Sequence, residues 1–481
     1  MLFNSLNFLL FICIFFSIYW FLLKKTTKGQ NIFILIGSYI FYGWWDYRFL
    51  GLIFLSSLVD FFVGINLGKS RDKKSRKLLI MASLMVNLGG LVFFKYCNFF
   101  IDSFVDLFYA FGVIVDVDRL EIILPAGISF YTFQTMSYSI DVYKKEMKPT
   151  SNFIEFFAFV SFFPQLVAGP IERASYLLPQ FKKEKTLSFE QGKNALRQIL
   201  WGLVKKALIA DNCAEIANYI FNNHQGLGGG VLFAGGIFFA FQIYCDFSGY
   251  SDIAIGTSKL LGFDLMKNFN FPYFSRNIAE FWRKWHISLT TWFRDYLYIP
   301  LGGGRSNKIR NIFVIFLVSG FWHGASWNFI FWGLINALLF LPTIYLKLEN
   351  VKSVILQKVF ESSIFGFISM ILTFIITVFA WLFFRADTLG QALSMGSEIL
   401  KSGFIIKSWI EFYDFMFWNY DFNIIGFLLI FVVIEWFGRN NDFAIEKLKG
   451  NKVIRWSFYY LLVYSILYFN GPEETFIYFQ F

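Results

Sequence analysis

Three histidines occur in the chain, and two of them sit where an imidazole can do acid–base chemistry. His323 lies in Ser319-Gly-Phe-Trp-His-Gly-Ala-Ser-Trp327, inside an apolar region. An ionisable side chain at membrane depth is costly and by default suggests function. A neutral imidazole there can act as a general base near pH 7. The plainer reading is a histidine that ties two helices together. Gly320 and Gly324 beside it permit close approach of a substrate or of another backbone. His286 falls in line with Ile278, Phe281, Trp282, Trp285, Leu289, Trp292 and Phe293 at helical spacing, with Asn277 and Glu280 as a capping box at the start. It therefore reads as part of the apolar stripe, away from Arg283, Lys284 and Arg294. Spacing alone leaves a core histidine and a reacting one equally open. His224, in Asn-Asn-His-Gln-Gly, reads as a solvated loop residue.

Asp246 and Asp252 stand in Tyr244-Cys-Asp-Phe-Ser-Gly-Tyr-Ser-Asp252. Six residues apart, they face different sides of a helix and are no obvious acid–base pair. They could orient a histidine or line a polar, substrate-binding cavity. They could equally be structural partners for an arginine or for backbone groups. Gly302-Gly-Gly-Arg305 lacks the ending of a phosphate loop and reads as a turn. Arg276, Arg283, Lys284, Arg294, Arg305, Lys308 and Arg310 form a positive field that would draw an anionic cytosolic substrate. The same residues would also serve topology alone. No HExxH, GxSxG or Walker pattern is present, so neither a metal nor a permanently bound cofactor is expected.

The elements that hold these residues must be membrane helices. The chain has 481 residues, 57% hydrophobic and 22% aromatic, and only 16% charged, against roughly 25% in soluble domains. Its mean hydropathy is +0.54. A soluble protein this apolar could not cover its surface with polar groups. That excludes a soluble enzyme, a disordered chain, a collagen-like fibre and a disulfide scaffold. The apolar runs suit spanning helices of about 20 residues and are too long for barrel strands of about 10. The expectation is an all-α polytopic membrane protein with ten to twelve spanning helices plus re-entrant and interfacial ones. No internal repeat or large soluble loop appears, so residues 1–481 read as a single domain.

The net charge of +10 follows the positive-inside rule and does not call for nucleic acid. Leu2–Leu23 has no basic region before it, and Lys24, Lys25 and Lys28 follow it, so it reads as a retained helix with its N-terminus outside. Lys69–Lys77 is a basic cytoplasmic loop. Lys95–Glu121, with Asp102, Asp106, Asp116, Asp118 and Glu121, suits the outside. Phe153–Pro170 reads as a re-entrant segment broken at Pro164, Gly169 and Pro170. Asn31–Trp45 and Tyr47–Leu67 read as separate crossings. Phe233–Tyr244 and Ser251–Phe263 flank a polar stretch, and Ile312–Ile344 breaks near His323. Arg385–Asp421 is a mixed outer segment. The tail Gly471–Phe481, with Glu473 and Glu474, would also lie outside. Cys13, Cys97, Cys213 and Cys245 form no CxxC pair and read as small buried apolar residues.

Several long motifs now combine. They are Arg276-Asn-Ile-Ala-Glu-Phe-Trp-Arg-Lys-Trp-His286-Ile-Ser-Leu-Thr, Phe293-Arg-Asp-Tyr-Leu-Tyr-Ile-Pro-Leu-Gly-Gly and Phe321-Trp-His323-Gly-Ala-Ser-Trp. Further ones begin at Leu124, Phe163 and Tyr244, and Phe476-Ile-Tyr-Phe-Gln-Phe481 closes the chain. Together they resemble the membrane-bound O-acyltransferase (MBOAT) family, and within it the bacterial alginate O-acetyltransferase AlgI-like branch. The resemblance covers nearly the whole chain, with Lys69–Leu120 and Ile344–Lys452 divergent.

The resemblance implies an all-helical membrane fold around a central cavity or tunnel. It implies that His323 is the family's invariant histidine and His286 the second active-site position. It further implies acetyl transfer from a cytoplasmic thioester, acetyl-CoA, to a cell-envelope polysaccharide such as an alginate-like exopolysaccharide or peptidoglycan. A periplasmic acetyltransferase of the SGNH type commonly completes such transfer. Arg283, Lys284, Arg294, Asp246, Asp252 and Trp322 are then candidate substrate- or donor-binding residues. The expected location is the bacterial cytoplasmic (inner) membrane, in contact with membrane lipid. The rival readings are teichoic-acid D-alanyl transfer from a carrier-protein thioester, and a transporter or flippase.

Overall fold

A computed structural model of the chain describes residues 1–24, 26–115, 117–167, 169–345, 362–420, 422–448 and 450–479. Of the residues named above, Lys25, Asp116, Ala168, Asp421, Gln480 and Phe481 lie outside these, as do 346–361 and 449 within the divergent stretch. The described residues form helices and connecting loops, with no strand among them, and the protein is an all-α, multi-pass membrane protein.

Among the described residues, five helical stretches are long and apolar enough to cross a bilayer. The number is six if the bent pair Ile406–Asn419 and Asn423–Gly438 makes one span. Ten to twelve were expected. Thr27–Lys69 counts once among the five but holds two 20-residue helices, Thr27–Asp46 and Leu50–Lys69, parted at Asp46, which is extended and caps the Arg48 N–H. At 1.5 Å per residue each reaches about 30 Å, so both crossings expected there have the length they need. Gly229–Leu260, in contrast, is one 32-residue helix through Asp246 and Asp252. Phe153–Leu166 breaks at Phe162 and is too short, at 1.5 Å per residue, to cross about 30 Å of hydrocarbon. Cys213 and Cys245 are buried, whereas Cys13 is exposed and Cys97 half-buried. For those two the buried reading does not hold.

Chain contacts divide the molecule into two compact units. The first comprises Met1–Leu196 and Ala254–Met266. Its helices Leu50–Lys69, Lys73–Leu91 and Ile128–Lys144 are stitched by buried Asp60, whose carboxylate accepts from Asn87 and Ser139, each at 2.7 Å. Asn31 donates to the Phe181 carbonyl at 2.8 Å, fixing the Thr27–Asp46 helix to a loop.

The second unit comprises Arg197–Ile253 and Lys267–Phe481. Its spine is residues 229–253 of the Gly229–Leu260 helix, whose apolar window is 94% buried. Beside it the chain makes a wide π turn over Val204–Ala210, which aims both Lys205 and Lys206 inward. Lys205 meets Asp252 at 3.0 Å and Glu435 at 3.4 Å. Lys206 meets Asp211 at 2.6 Å and Asp246 at 2.9 Å. Buried charges survive only when paired in this way, and the pairing lets two aspartates sit inside a continuous apolar helix.

Candidate active site

His323 ends the helix Lys308–His323, and a second helix, Trp327–Phe340, turns back beside it. Glycines set how closely the two pack. A Cβ at Gly320 would collide with the Phe329 carbonyl, one at Gly333 with the Phe316 carbonyl, and one at Gly324 with the Phe329 ring. The glycines flanking His323 therefore admit protein, not ligand. The His323 ring lies 5.0 Å from Trp322, 5.2 Å from Trp332, 5.3 Å from Phe384 and 5.6 Å from Tyr478.

His286 does not lie on a helix. The expected stripe splits into Ile278–Lys284 and Ile287–Phe293, with His286 between them in the left-handed region at φ 42°. Such a conformation costs a non-glycine residue about 1–3 kcal/mol and persists only where surroundings impose it. Here Asn268 imposes it. Its carbonyl accepts the Ile287 N–H at 2.8 Å, and two residues on Asn270 donates to the Lys284 carbonyl at 2.9 Å. The Asn268 amide oxygen faces His286 Nδ1 at 3.0 Å and accepts from the Ser288 hydroxyl at 2.9 Å, while its Nδ2 donates to Ser251 at 3.2 Å. An amide oxygen can only accept, so Nδ1 carries the proton and Nε2 is the basic nitrogen. Burial pulls the His286 imidazole down to about 3, which keeps the ring neutral. The start of the stripe follows the sequence: Asn277 caps the Glu280 N–H, and Glu280 reaches back to the Arg276 N–H.

The two imidazoles share neighbours. Trp322 lies 6.0 Å from the His286 ring and 5.0 Å from His323. Tyr478 lies 6.3 Å from His286 and 5.6 Å from His323. Both histidines are buried, at 1% and 3% exposure.

Tyr478 was not singled out from the sequence. It arrives on a tail that threads into this unit. Gly471 donates to the Ala207 carbonyl at 3.2 Å, Lys206 to the Glu474 carbonyl at 2.9 Å, and Ile477 to the Asp246 carboxylate at 2.7 Å. Phe476 packs 4.6 Å from Tyr250, and Tyr478 packs 4.6 Å from Phe247. Burial pushes the Tyr478 phenol well up, so it stays protonated. The available signal was the apolar run Phe476-Ile-Tyr after two glutamates.

The remaining candidates are spread out. Asp246 anchors the tail, and Asp252 binds Lys205 and Gln198. Lys284 pairs with Glu280 at 2.7 Å, Arg294 pairs with Asp295 at 2.7 Å, and Arg283 is exposed. His224 sits in a loop with its Nδ1 3.2 Å from the Phe221 carbonyl.

A neutral imidazole at His286, a second buried imidazole at His323 and a protonated phenol, walled by tryptophan and phenylalanine, suit proton transfer to and from a hydroxyl where water is scarce. Comparison with known proteins points the same way. The sequence model of the membrane-bound O-acyltransferase family matches residues 144–385. The "Probable alginate O-acetylase AlgI" of Pseudomonas aeruginosa is 38% identical over 84% of this chain and 75% of its own length. The peptidoglycan O-acetyltransferase of Helicobacter pylori is 32% identical over 78% of this chain and 75% of its own. The teichoic acid D-alanyltransferase of Bacillus subtilis is 28% identical over 44% of this chain and 57% of its own. A family match spanning both histidines, with relatives aligned along most of the sequence, leaves one assignment: the chain belongs to the membrane-bound O-acyltransferase family and is an O-acyltransferase.

Proposed function

We propose that the protein takes an acetyl group from a cytoplasmic thioester, acetyl-CoA, and delivers it for O-acetylation of a cell-envelope polysaccharide. The observation that carries this reading is the Tyr478 ring lying against both His286 and His323. The relatives named for acetylation of alginate and of peptidoglycan support the acetyl group and the class of acceptor. The D-alanyltransferases align over a much smaller part of the chain and support that rival less.

In the proposed chemistry His323 is the general base. It takes the proton of the Tyr478 hydroxyl as the phenol oxygen attacks the thioester carbonyl. The C–S bond breaks, and the same proton goes to the departing thiolate. His286, fixed by Asn268, orients the carbonyl or steadies the charge that develops on it. The resulting aryl ester is activated towards a hydroxyl arriving from the other face, and that hydroxyl's proton restores the phenol. Arg283, Lys284 and Arg294 lie near enough in sequence to His286 to steer an anionic donor. Asp246 and Asp252 serve the site through the lysines and the tail they hold.

A cytoplasmic-membrane location, with both termini outside, follows from the charges of the loops. A periplasmic acetyltransferase of the SGNH type completes transfer to the glycan, docking on Lys95–Glu121, on Arg385–Asp421 or on the tail. A polar cavity of about 550 Å³, lined by Ser394, Glu398, Lys401 and Glu411 on one side and by His224, Gln225 and Gly226 on the other, offers hydrogen-bonding groups to such a partner.

The test is radiolabelled acetyl-CoA with the purified full chain in nanodiscs, with and without Tyr478→Phe and His323→Ala. The reading expects label on Tyr478 in the parent protein and none in either variant. Label retained in Tyr478→Phe would remove the tyrosine from the pathway. Unchanged solute passage without covalent label would favour a transporter.

A further inference from the structure

A cavity of about 570 Å³ opens in the second unit, away from the imidazoles. Arg276, Lys284, Arg439, Trp436, Ser362 and Ser363 line its polar part. Lys284 is spoken for by Glu280 at 2.7 Å. Among the described residues, neither the Arg276 nor the Arg439 guanidinium makes a salt bridge to a carboxylate. The Arg439 guanidinium instead lies 3.8 Å over the Trp436 ring, and that of Arg276 lies over Gly366. Glu280 also lines the cavity, where it pairs with Lys284 and feels the charge of Arg276, so three cations face one acid and the net positive charge invites an anion.

The same cavity has an apolar annex. Phe271, Phe274 and Met370 line both it and a neighbouring slot of about 240 Å³. Phe241, Phe374 and Phe431 are among the other residues of that slot. Its one acid, Glu435, is satisfied by Tyr244 at 2.6 Å, Trp201 at 3.3 Å and Lys205 at 3.4 Å. Its helical walls belong to three apolar helices, Gly229–Leu260, Ser363–Arg385 and Asn423–Gly438. Trp436 and Arg439 sit at the end of the last, as side chains anchored at a membrane interface do.

An anionic head site continuous with an apolar slot between membrane helices matches a phospholipid better than a free nucleotide, which has nothing to place in the slot. Basic pockets between membrane helices on the cytoplasmic side are a general form of lipid recognition. We propose that this cavity binds one anionic phospholipid, its phosphate on Arg276 and Arg439 and an acyl chain in the Phe374 slot. The site shares Lys284 with the residues proposed to steer the donor and reaches the imidazoles through the backbone. Asn270 and Lys284, on its rim, are hydrogen-bonded to one another two residues from Asn268 and His286. A bound lipid steadies that pair of segments. The binding itself does not depend on the proposed acetyl transfer.

The experiment is native mass spectrometry of the full chain released from nanodiscs of phosphatidylglycerol or of phosphatidylcholine. The parent protein is expected to retain one phosphatidylglycerol and no phosphatidylcholine. Each cationic contact contributes about fivefold in affinity, so Arg276→Ala with Arg439→Ala should weaken phosphatidylglycerol binding roughly 25-fold in Kd and lower its retention. Phe374→Trp, which fills the slot and leaves both arginines, should also expel the lipid. Should the double variant fail to fold, the two lipid compositions and Phe374→Trp still decide. Equal retention of both lipids, or retention unchanged in Phe374→Trp, overturns the proposal. Saturable binding of adenosine 3′,5′-bisphosphate that displaces phosphatidylglycerol would assign the arginines to a soluble phosphate and overturn the lipid.

Discussion

Asp246, midway along the Gly229–Leu260 helix, accepts the backbone N–H of Ile477 at 2.7 Å, one residue before Tyr478. The same carboxylate meets Lys206 at 2.9 Å, and Lys206 donates to the Glu474 carbonyl at 2.9 Å. One buried lysine thus holds both the aspartate and the strand of tail that the aspartate anchors. Tyr478 stands against the imidazoles because of a charge pair, not because of its own packing alone.

Lys206→Met should therefore uncouple the tail. Removing one partner of a buried pair leaves carboxylates uncompensated and costs about 3–5 kcal/mol. Thermal unfolding in detergent should show the loss, and limited proteolysis should cleave near Glu474 in the variant first. Unaltered melting and a protected tail would mean that Phe476 and Tyr478 dock without help.

The His323 turn was legible in the sequence because its causes are local. Gly320, Gly324 and the break before Trp327 are all within a few residues of the histidine. The His286 turn was not legible. The apolar spacing from Ile278 to Phe293 fits a helix, and the residue that breaks it, Asn268, lies 18 positions upstream. Asp246 and Asp252 stayed ambiguous for a similar reason. Their partners, Lys205 and Lys206, are adjacent in sequence and would face different sides of an ordinary α-helix. The π turn brings both to the same buried side, and the sequence gives no clear sign of it. Tyr478 meets the histidines only after the tail has turned back into its unit, a contact no periodicity encodes.

Asn268→Leu tests the tautomer. Leucine keeps the bulk but cannot accept from Nδ1, so the buried ring loses its partner, at about 1–3 kcal/mol. The proton is then free to move to Nε2. Acetyl transfer should fall towards the lower end of the 10²–10⁴-fold span, about 10²-fold, with donor binding little changed. Asn268→Asp, which still accepts, should restore part of the rate. A rate equal to the parent's in Asn268→Leu would show that His286 needs no fixed tautomer.

Gly320→Ala adds one methyl group where the Phe329 carbonyl already sits. Overpacking of this kind costs about 1–3 kcal/mol. The two helices must part at the turn that carries His323, so activity should drop more than stability does. Gly426→Ala is the control, because a Cβ there meets nothing. Equal behaviour of the two variants in melting and in turnover would argue against a packing requirement at Gly320.

The His286 ionisation gives a pH signature of definite sign. Its folded value is about 3, against an ordinary 6.5. The unfolded chain takes up a proton as the pH falls through 6.5, and the folded protein does so only near 3. Stability from this residue is thus fully present above about 6.5 and drains away between there and about 3. Nitrogen-15 NMR of histidine-labelled protein carrying His224→Gln and His323→Gln should show one neutral ring with its proton on Nδ1, unchanged from pH 8 to pH 5. A resonance that titrates near 6.5 would place His286 in contact with water, and a closed chamber around the thioester could then no longer be maintained.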